Sequence, residues 1–298
     1  MDNTSYSTAG FSDRGIEQAL DVVAAVGFPQ VEVSGRQPHL GSRLTGNELS
    51  VFLSGVASRG LKVRTMHAPS GRTTLGTTDQ DWRKQEIATL HDYILFLSDL
   101  GGTDMVIHPI PNPMFVENAY APETPELVRE GVSISLDALV PVAQEAGVRI
   151  NLENLPYHCD YPYRTMAELR PLVDPYPSEH LGLIIDTGHV GVLGNEIVDE
   201  IRSAGPRLSG THLHDVEGSE DGTDHRGPTR GFLDWDDLLG TLKEIDYQGP
   251  YTFETSIPAA GETSEQLASF TRQFAVDRGT VSYTHLRAHE TDSYLVCR

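Results

Sequence analysis

The chain has 298 residues, a length that suits one (β/α)8 barrel or two average domains. Its 43 acidic and 22 basic residues give a net charge of −21, which opposes binding to nucleic acids and anionic membranes. The sequence shows no signal peptide at residues 1–10, no apolar run of the ~20 residues that a membrane helix needs, and no disulfide framework. We therefore expect a cytoplasmic protein.

The predicted strands and helices alternate along the chain. Strands are predicted at 5–8, 30–33, 61–66, 105–107, 148–152, 181–185, 208–213 and 251–253. Helices are predicted at 15–26, 45–58, 79–100, 125–146, 165–173, 196–203, 235–245 and 264–276. Ser12 and Asp13 are expected to cap the first helix, and Gly147 to end the fourth.

Eight strands joined by helices predict a single (β/α)8 TIM barrel, because helical crossovers require parallel strands. The alternative is an open doubly wound sheet. That fold would place a Gly-rich phosphate loop after the first strand, and the sequence has none there. We expect one domain over residues 1–279.

The last residues, 281–298, read VSYTHLRAHETDSYLVCR. The segment back-translates to the adapter of a transposase-based sequencing library, followed by its index-side primer. We interpret it as a translated adapter rather than native sequence and exclude its histidines and Cys297 from the site.

The basic residues are almost all arginine, and lysine occurs only at positions 62, 84 and 243. Acid excess with scarce lysine is typical of proteins from salt-adapted cells, where ~1 M salt shortens the Debye length to about 3 Å. An ordinary acidic cytoplasmic enzyme would have the same composition, so both interpretations remain open.

Six predicted strands end in side chains that can bind a metal ion. These residues are His67, His108, Glu153, Asp186, His212 and Glu254. Apolar strands are normally buried, and a charged side chain at the end of one requires a partner. In a parallel barrel the carboxyl ends of all strands meet on one face, so a shared cation would explain these residues.

Glu153, Asp186, His212 and Glu254 are the predicted metal ligands. Three converging buried carboxylates require a cation or protonation, because an unpaired buried carboxylate is costly. Three oxygen ligands and one nitrogen ligand suit one divalent ion, Mn²⁺, Mg²⁺ or Co²⁺, with Zn²⁺ as a further option.

Additional contacts to metal or substrate are expected among His67, His108, His189, His214, His225 and Arg226. His214 lies two residues after His212 and therefore faces the same side of the strand. His225 and Arg226 belong to a long loop that could fold over the site and bind an anionic substrate. Wall, surface or hydrogen-bonding roles remain alternatives for these residues.

The motifs at the strand ends resemble those of the xylose isomerase-like barrel superfamily over residues 5–279. They are His67-Ala68-Pro69, Val106-Ile107-His108-Pro109, Leu152-Glu153-Asn154, Ile185-Asp186-Thr187-Gly188-His189 and His212-Leu213-His214-Asp215. The superfamily contains sugar and sugar-phosphate isomerases and epimerases, and also apurinic-site nucleases of the endonuclease IV type.

The isomerase branch implies a metal held by Glu153, Asp186, His212 and Glu254, with the two glutamates also exchanging protons with the substrate. The leading expectation is therefore an isomerase or epimerase that acts on a sugar or sugar phosphate through an enediolate. No lysine ends a strand, which argues against Schiff-base chemistry.

The nuclease branch implies a three-zinc site that includes the matches to His67, His108, His189 and His225. That branch has an aspartate two residues before the last histidine, where this chain has Thr223. The acidic composition also opposes a nuclease. A sugar-binding regulatory barrel is a third, non-enzymatic alternative, and barrels of this size often form homo-oligomers.

Overall fold

A computed structural model describes residues 2–218 and 224–279 of the chain. The predicted adapter segment, 281–298, and Thr223 lie outside the described residues. Eight parallel strands close into a barrel in chain order. The strands are β1 Thr4–Ser7, β2 Gln30–Ser34, β3 Lys62–His67, β4 Asp104–Ile107, β5 Arg149–Glu153, β6 Leu181–Asp186, β7 Leu208–Leu213 and β8 Tyr251–Phe253. The predicted (β/α)8 TIM barrel is confirmed.

Helices connect the strands and cover the outside of the barrel. The α-helices are α1 Ile16–Ala25, α2 Gly46–Ser58, α3 Gln80–Asp99, α4 Thr124–Ala146, α5 Met166–Val173, α6 Thr187–Val192, α7 Ile197–Ala204, α8 Trp235–Glu244 and α9 Ser264–Asp277. The sequence analysis missed α6, a single short turn that follows β6 directly. Its expectation for the first helix was also wrong, because Gly15 is the N-cap and no side chain caps α1.

The longer helices follow from side-chain spacing and capping. In α3, Asp79 accepts a hydrogen bond from the backbone N–H of Trp82, and Leu90, Ile94 and Leu97 form a fully buried stripe. At the end of α4, Gly147 adopts a left-handed conformation with φ of 67°, which costs a residue without Cβ little.

Parallel pairing directs all carboxyl ends of the strands to one face of the barrel. β5, β6 and β7 carry buried side chains on both faces, because helices cover the outside and side chains fill the interior. Within the described ranges, no helix is both long enough and apolar enough to cross a membrane.

Candidate metal and substrate site

The four predicted metal ligands meet at the carboxyl-terminal face of the barrel. Glu153 ends β5, Asp186 ends β6, His212 is in β7, and Glu254 directly follows β8. One potential ligand atom from each side chain lies within 4.8 Å of the others, and all four residues are buried. The fold therefore brings together a set of residues that could hold a metal ion.

The Nδ1 atom of His212 is the point on which the three carboxylates converge. It lies 3.1 Å from Oε1 of Glu153, 3.1 Å from Oε2 of Glu254 and 3.8 Å from Oδ2 of Asp186. Three carboxylates around one buried nitrogen form a cluster that requires positive charge. Their oxygens and this nitrogen fit a small divalent cation.

The sequence analysis missed Glu32, which controls the orientation of His212. Glu32 lies in β2 and is fully buried. Its Oε1 is 3.0 Å from Nε2 of His212, and its Oε2 accepts a hydrogen bond of 2.8 Å from the Thr65 hydroxyl. A carboxylate on the outer nitrogen of a histidine fixes the ring and leaves the inner nitrogen for a metal. One sequence feature could have identified Glu32. It is a glutamate flanked by two valines, at positions 31 and 33, in a buried strand.

The acidic and basic groups of the cluster shift one another's pKa values. Burial acts to raise the pKa of Glu153, but the charge of His212 and the nearby His108 and His67 nitrogens outweigh it and hold this pKa well below its usual value. Burial opposes the charge on His212, but Glu254, Glu32 and Glu153 raise its pKa well above the ordinary value. The cluster thus attracts a positive charge, whether a proton or a metal ion.

Asp186 is held by hydrogen bonds from three directions. Its Oδ1 accepts from the backbone N–H of His189 at 2.7 Å, because Asp186 is the N-cap of α6. Its backbone N–H donates to Oδ1 of Asn154 at 2.8 Å, and its carbonyl accepts from Nδ2 of the same side chain at 3.0 Å. This network fixes the carboxylate beside His212.

Both ring nitrogens of His214 have partners. Nδ1 accepts a hydrogen bond of 2.8 Å from the backbone N–H of His225, so Nε2 carries the proton and donates to Oδ2 of Asp186 at 2.8 Å. The His225 ring stacks on His214 with 4.2 Å between centroids. His214 therefore positions Asp186, although its ring also belongs to a second group, with Asp186, His225 and Glu254, that could hold a metal ion.

His67, His108 and His189 line the cavity above the cluster. Nε2 of His67 and Nε2 of His108 lie 3.3 and 3.2 Å from Oε2 of Glu153. Among the described residues that oxygen has no partner in hydrogen-bond geometry. His189 donates from Nδ1 to the carbonyl of Asn154 at 2.9 Å, and its Nε2 lies 3.8 Å from Oδ2 of Asp224.

The two predicted loop residues, His225 and Arg226, are placed differently. His225 lines the cavity, with Nε2 3.7 Å from Oε2 of Glu254. Its Nδ1 pairs with Asp224 at 2.8 Å, and despite burial this contact holds the pKa of Asp224 at about 2. Arg226 pairs with Glu217 and does not line the cavity. The arginine in the cavity wall is Arg36, which the sequence analysis missed.

The comparison with known protein families agrees with this architecture. The sequence model of the xylose isomerase-like TIM barrel family matches residues 20–274. The chain belongs to that family. The resemblance proposed from the strand-end motifs is therefore confirmed at the level of the family.

Several relatives in the xylose isomerase-like TIM barrel family are named as sugar epimerases. The chain is 26% identical to the D-psicose 3-epimerase of Enterocloster bolteae over 255 residues, covering 83% of this chain and 79% of the relative. It is 26% identical to the L-ribulose 3-epimerase of Methylomonas sp. over 249 residues, covering 82% and 80%.

Solved structures support the same fold. The 3-keto-D-glucoside 4-epimerase of E. coli in its apo form superimposes with a TM-score of 0.75 at 20% identity, covering 93% of this chain and all of that one. At this identity the structural similarity establishes the barrel, and the chemistry has to be argued from the site.

Proposed function

We propose that the chain is a divalent-metal-dependent epimerase or isomerase of a small polyhydroxy ketone. The convergence of Glu153, Asp186 and Glu254 on Nδ1 of His212 carries this proposal, with the epimerase relatives as support. The four side chains would hold one ion, Mn²⁺, Mg²⁺ or Co²⁺, with Zn²⁺ as a further option. When bound, it would polarise the substrate oxygens and stabilise the negative charge that develops on them.

Glu153 and Glu254 are the proposed acid and base. Glu153 ends β5 and Glu254 directly follows β8, on different sides of the barrel, and both line the cavity. One carboxylate would remove the proton next to the carbonyl from one face of the carbon, and the other would return a proton to the opposite face. Such groups contribute ~10²–10⁴-fold each when they are correctly placed.

The cavity histidines are the proposed partners of the substrate hydroxyls. His67 donates from Nδ1 to the carbonyl of Ala68, and His189 does the same to Asn154, so each ring presents Nε2 toward the cavity. These ring nitrogens would hydrogen-bond to the hydroxyls of a polyol and orient it beside the two carboxylates.

Metal content and solvent exchange test the proposal. We expect one divalent ion per chain by elemental analysis, and its loss in Asp186→Asn and His212→Ala, while His214→Ala retains it. In D₂O, the metal-loaded protein should place deuterium on the carbon next to the carbonyl of at least one ketose.

The apurinic-site nuclease alternative predicts different results for metal content and solvent exchange. Three ions per chain, no exchange with a broad panel of ketoses, and nicking of a duplex with an abasic site would overturn the epimerase proposal. Full metal occupancy in either ligand variant would show that the ligand assignment is wrong.

A further inference from the structure

The cavity above the cluster of Glu153, Asp186, His212 and Glu254 has two chemically different parts. Its volume is about 380 Å³, within the 300–1,000 Å³ that is usual for small-molecule sites. The inner part contains Glu153, Glu254, His67, His108, His189 and His225. The rest of the wall, here called the cavity mouth, includes the side chains of Ser12, Ser34, Arg36, Gln37 and Ser70. A ligand that fills the cavity contacts both parts.

Arg36 supplies the positive charge of the cavity mouth and has no acidic partner within residues 2–218 and 224–279. Most arginines in these ranges pair with a carboxylate, as Arg43 does with Asp99. Arg36 instead donates from Nη1 to the Ser70 hydroxyl at 3.0 Å. Of the carboxylates in those ranges, Glu153 and Glu254 alone line the cavity, and both belong to its inner part. Arg36 is exposed at the cavity wall, so its charge is available to a ligand.

The backbone around Arg36 is fixed by long-range contacts. Gly35 donates from its N–H to the carbonyl of His67 at 2.8 Å, and the Tyr93 hydroxyl donates to the carbonyl of Gly35 at 2.8 Å. Leu40 closes the turn by donating to the carbonyl of Ser34 at 3.1 Å. The loop between β2 and α2 thus holds Arg36 at a defined place beside the cavity.

We propose that the cavity mouth binds an anionic terminal group of the substrate, a phosphate or a carboxylate, and that Arg36 recognises it. The inference rests on the proposed function for the opposite, reacting end of the substrate. A guanidinium donates two parallel hydrogen bonds to an oxyanion, and the Ser70 hydroxyl orients one of its arms. The acidic outer surface does not prevent this, because charges farther away than the Debye length of about 8 Å are screened at physiological salt.

Substrate comparison with an Arg36 variant tests the inference. The wild type and Arg36→Gln are assayed with free ketopentoses and ketohexoses, with the same sugars carrying a terminal phosphate, and with ketoses carrying a terminal carboxylate. We expect the wild type to prefer one anionic class. In Arg36→Gln the KM for that class should rise ~10–100-fold with little change in kcat, as expected for loss of a charged hydrogen bond. The KM for free ketoses should stay the same.

Arg43→Gln is the matched control. It removes the same charge from the same loop, and its partner Asp99 lies at the end of α3, away from the cavity. It should leave every KM unchanged. Arg36→Lys should recover part of the affinity, since it restores the charge without the bidentate geometry.

The outcomes separate the inference from the proposed function. Turnover of free and anionic ketoses with equal kcat/KM, together with an unaffected Arg36→Gln variant, overturns the inference and leaves the epimerase proposal standing. If no ketose of any class exchanges protons, the epimerase proposal fails. In that case, calorimetry of ketose phosphate binding tests the inference about Arg36. Equal affinity of the wild type and Arg36→Gln for the ketose phosphate overturns the inference.

Discussion

At the scale of single residues, Glu153 links His212 to the histidines of the cavity. Its Oε1 faces His212, and its Oε2 faces His67 and His108. This is the carboxylate that we propose both holds a cation and exchanges a proton with a substrate.

We expect Glu153→Gln to reduce turnover by at least ~10²-fold, because the amide keeps an oxygen ligand but cannot accept the substrate proton. Deuterium exchange and kcat are the measurements. Glu86→Gln is the control, since it makes the same change at a buried glutamate of α3 whose Oε1 accepts from Trp82. Turnover within a few-fold of wild type in Glu153→Gln would remove this residue from the proposed chemistry.

Glu32 acts through His212, and its substitution tests that role separately from chemistry. Glu32→Gln should lower metal affinity by ~10–100-fold, because the outer nitrogen of His212 loses its anionic partner. At saturating metal, kcat should recover most of its wild-type value. Calorimetric metal titration combined with circular dichroism measures the effect, and an unchanged dissociation constant in a folded variant would contradict it.

At the scale of elements, the turn from β6 into α6 requires a glycine for steric reasons. A Cβ atom at position 188 would lie 2.0 Å from Cε1 of His214, and the ring is held by hydrogen bonds at both nitrogens. The short α6 therefore packs against the end of β7 only if residue 188 lacks a side chain.

Gly188→Ala should destabilise the fold by ~1–3 kcal/mol, the usual cost of overpacking, because the new methyl group collides with the His214 ring. Gly240→Ala in α8 is the control. Its new methyl group meets no atom within 4 Å, so helix propensity predicts a gain of roughly 0.5–1 kcal/mol. Urea titration of both variants measures the change in the free energy of unfolding. Equal changes at the two positions would refute the steric argument.

At the scale of the whole molecule, the charged cluster links stability to pH. Burial disfavours a proton on His67, but Glu153 outweighs this and raises its pKa from 6.5 to about 9. The protonated ring therefore contributes its full stability below pH 6.5, and this contribution is lost as the pH rises through 9. The pKa of Glu153 is lowered from 4.5, so its contribution is present above pH 4.5 and lost as the pH falls.

We expect the Tm of the chelator-treated protein to decline between pH 6.5 and 9. Saturating divalent metal should raise Tm and make this decline smaller, because the ion replaces protons as the positive partner of the carboxylates. Thermal unfolding followed at several pH values, with and without metal, measures both effects. His67→Asn should flatten the metal-free profile, and an unaltered profile would show that His67 is not the titrating group.

The sequence by itself determined the barrel and the four residues that meet at its carboxyl-terminal face. Strand periodicity and Gly or Pro boundaries are local signals, and parallel strands necessarily bring their carboxyl ends to one face. Glu153, Asp186, His212 and Glu254 could therefore be grouped without coordinates. Their function as ligands stays a prediction.

Tertiary structure alone decided the partners of those residues. The contact between Glu32 and His212 joins positions 180 residues apart. The proton position on His214 depends on a backbone N–H from a different loop. Arg36 faces the cavity because Gly35 is tied to β3, whereas Arg226 is paired with Glu217. Each of these partners depends on which groups are within hydrogen-bonding distance after folding. The spacing of residues along the sequence does not contain that information.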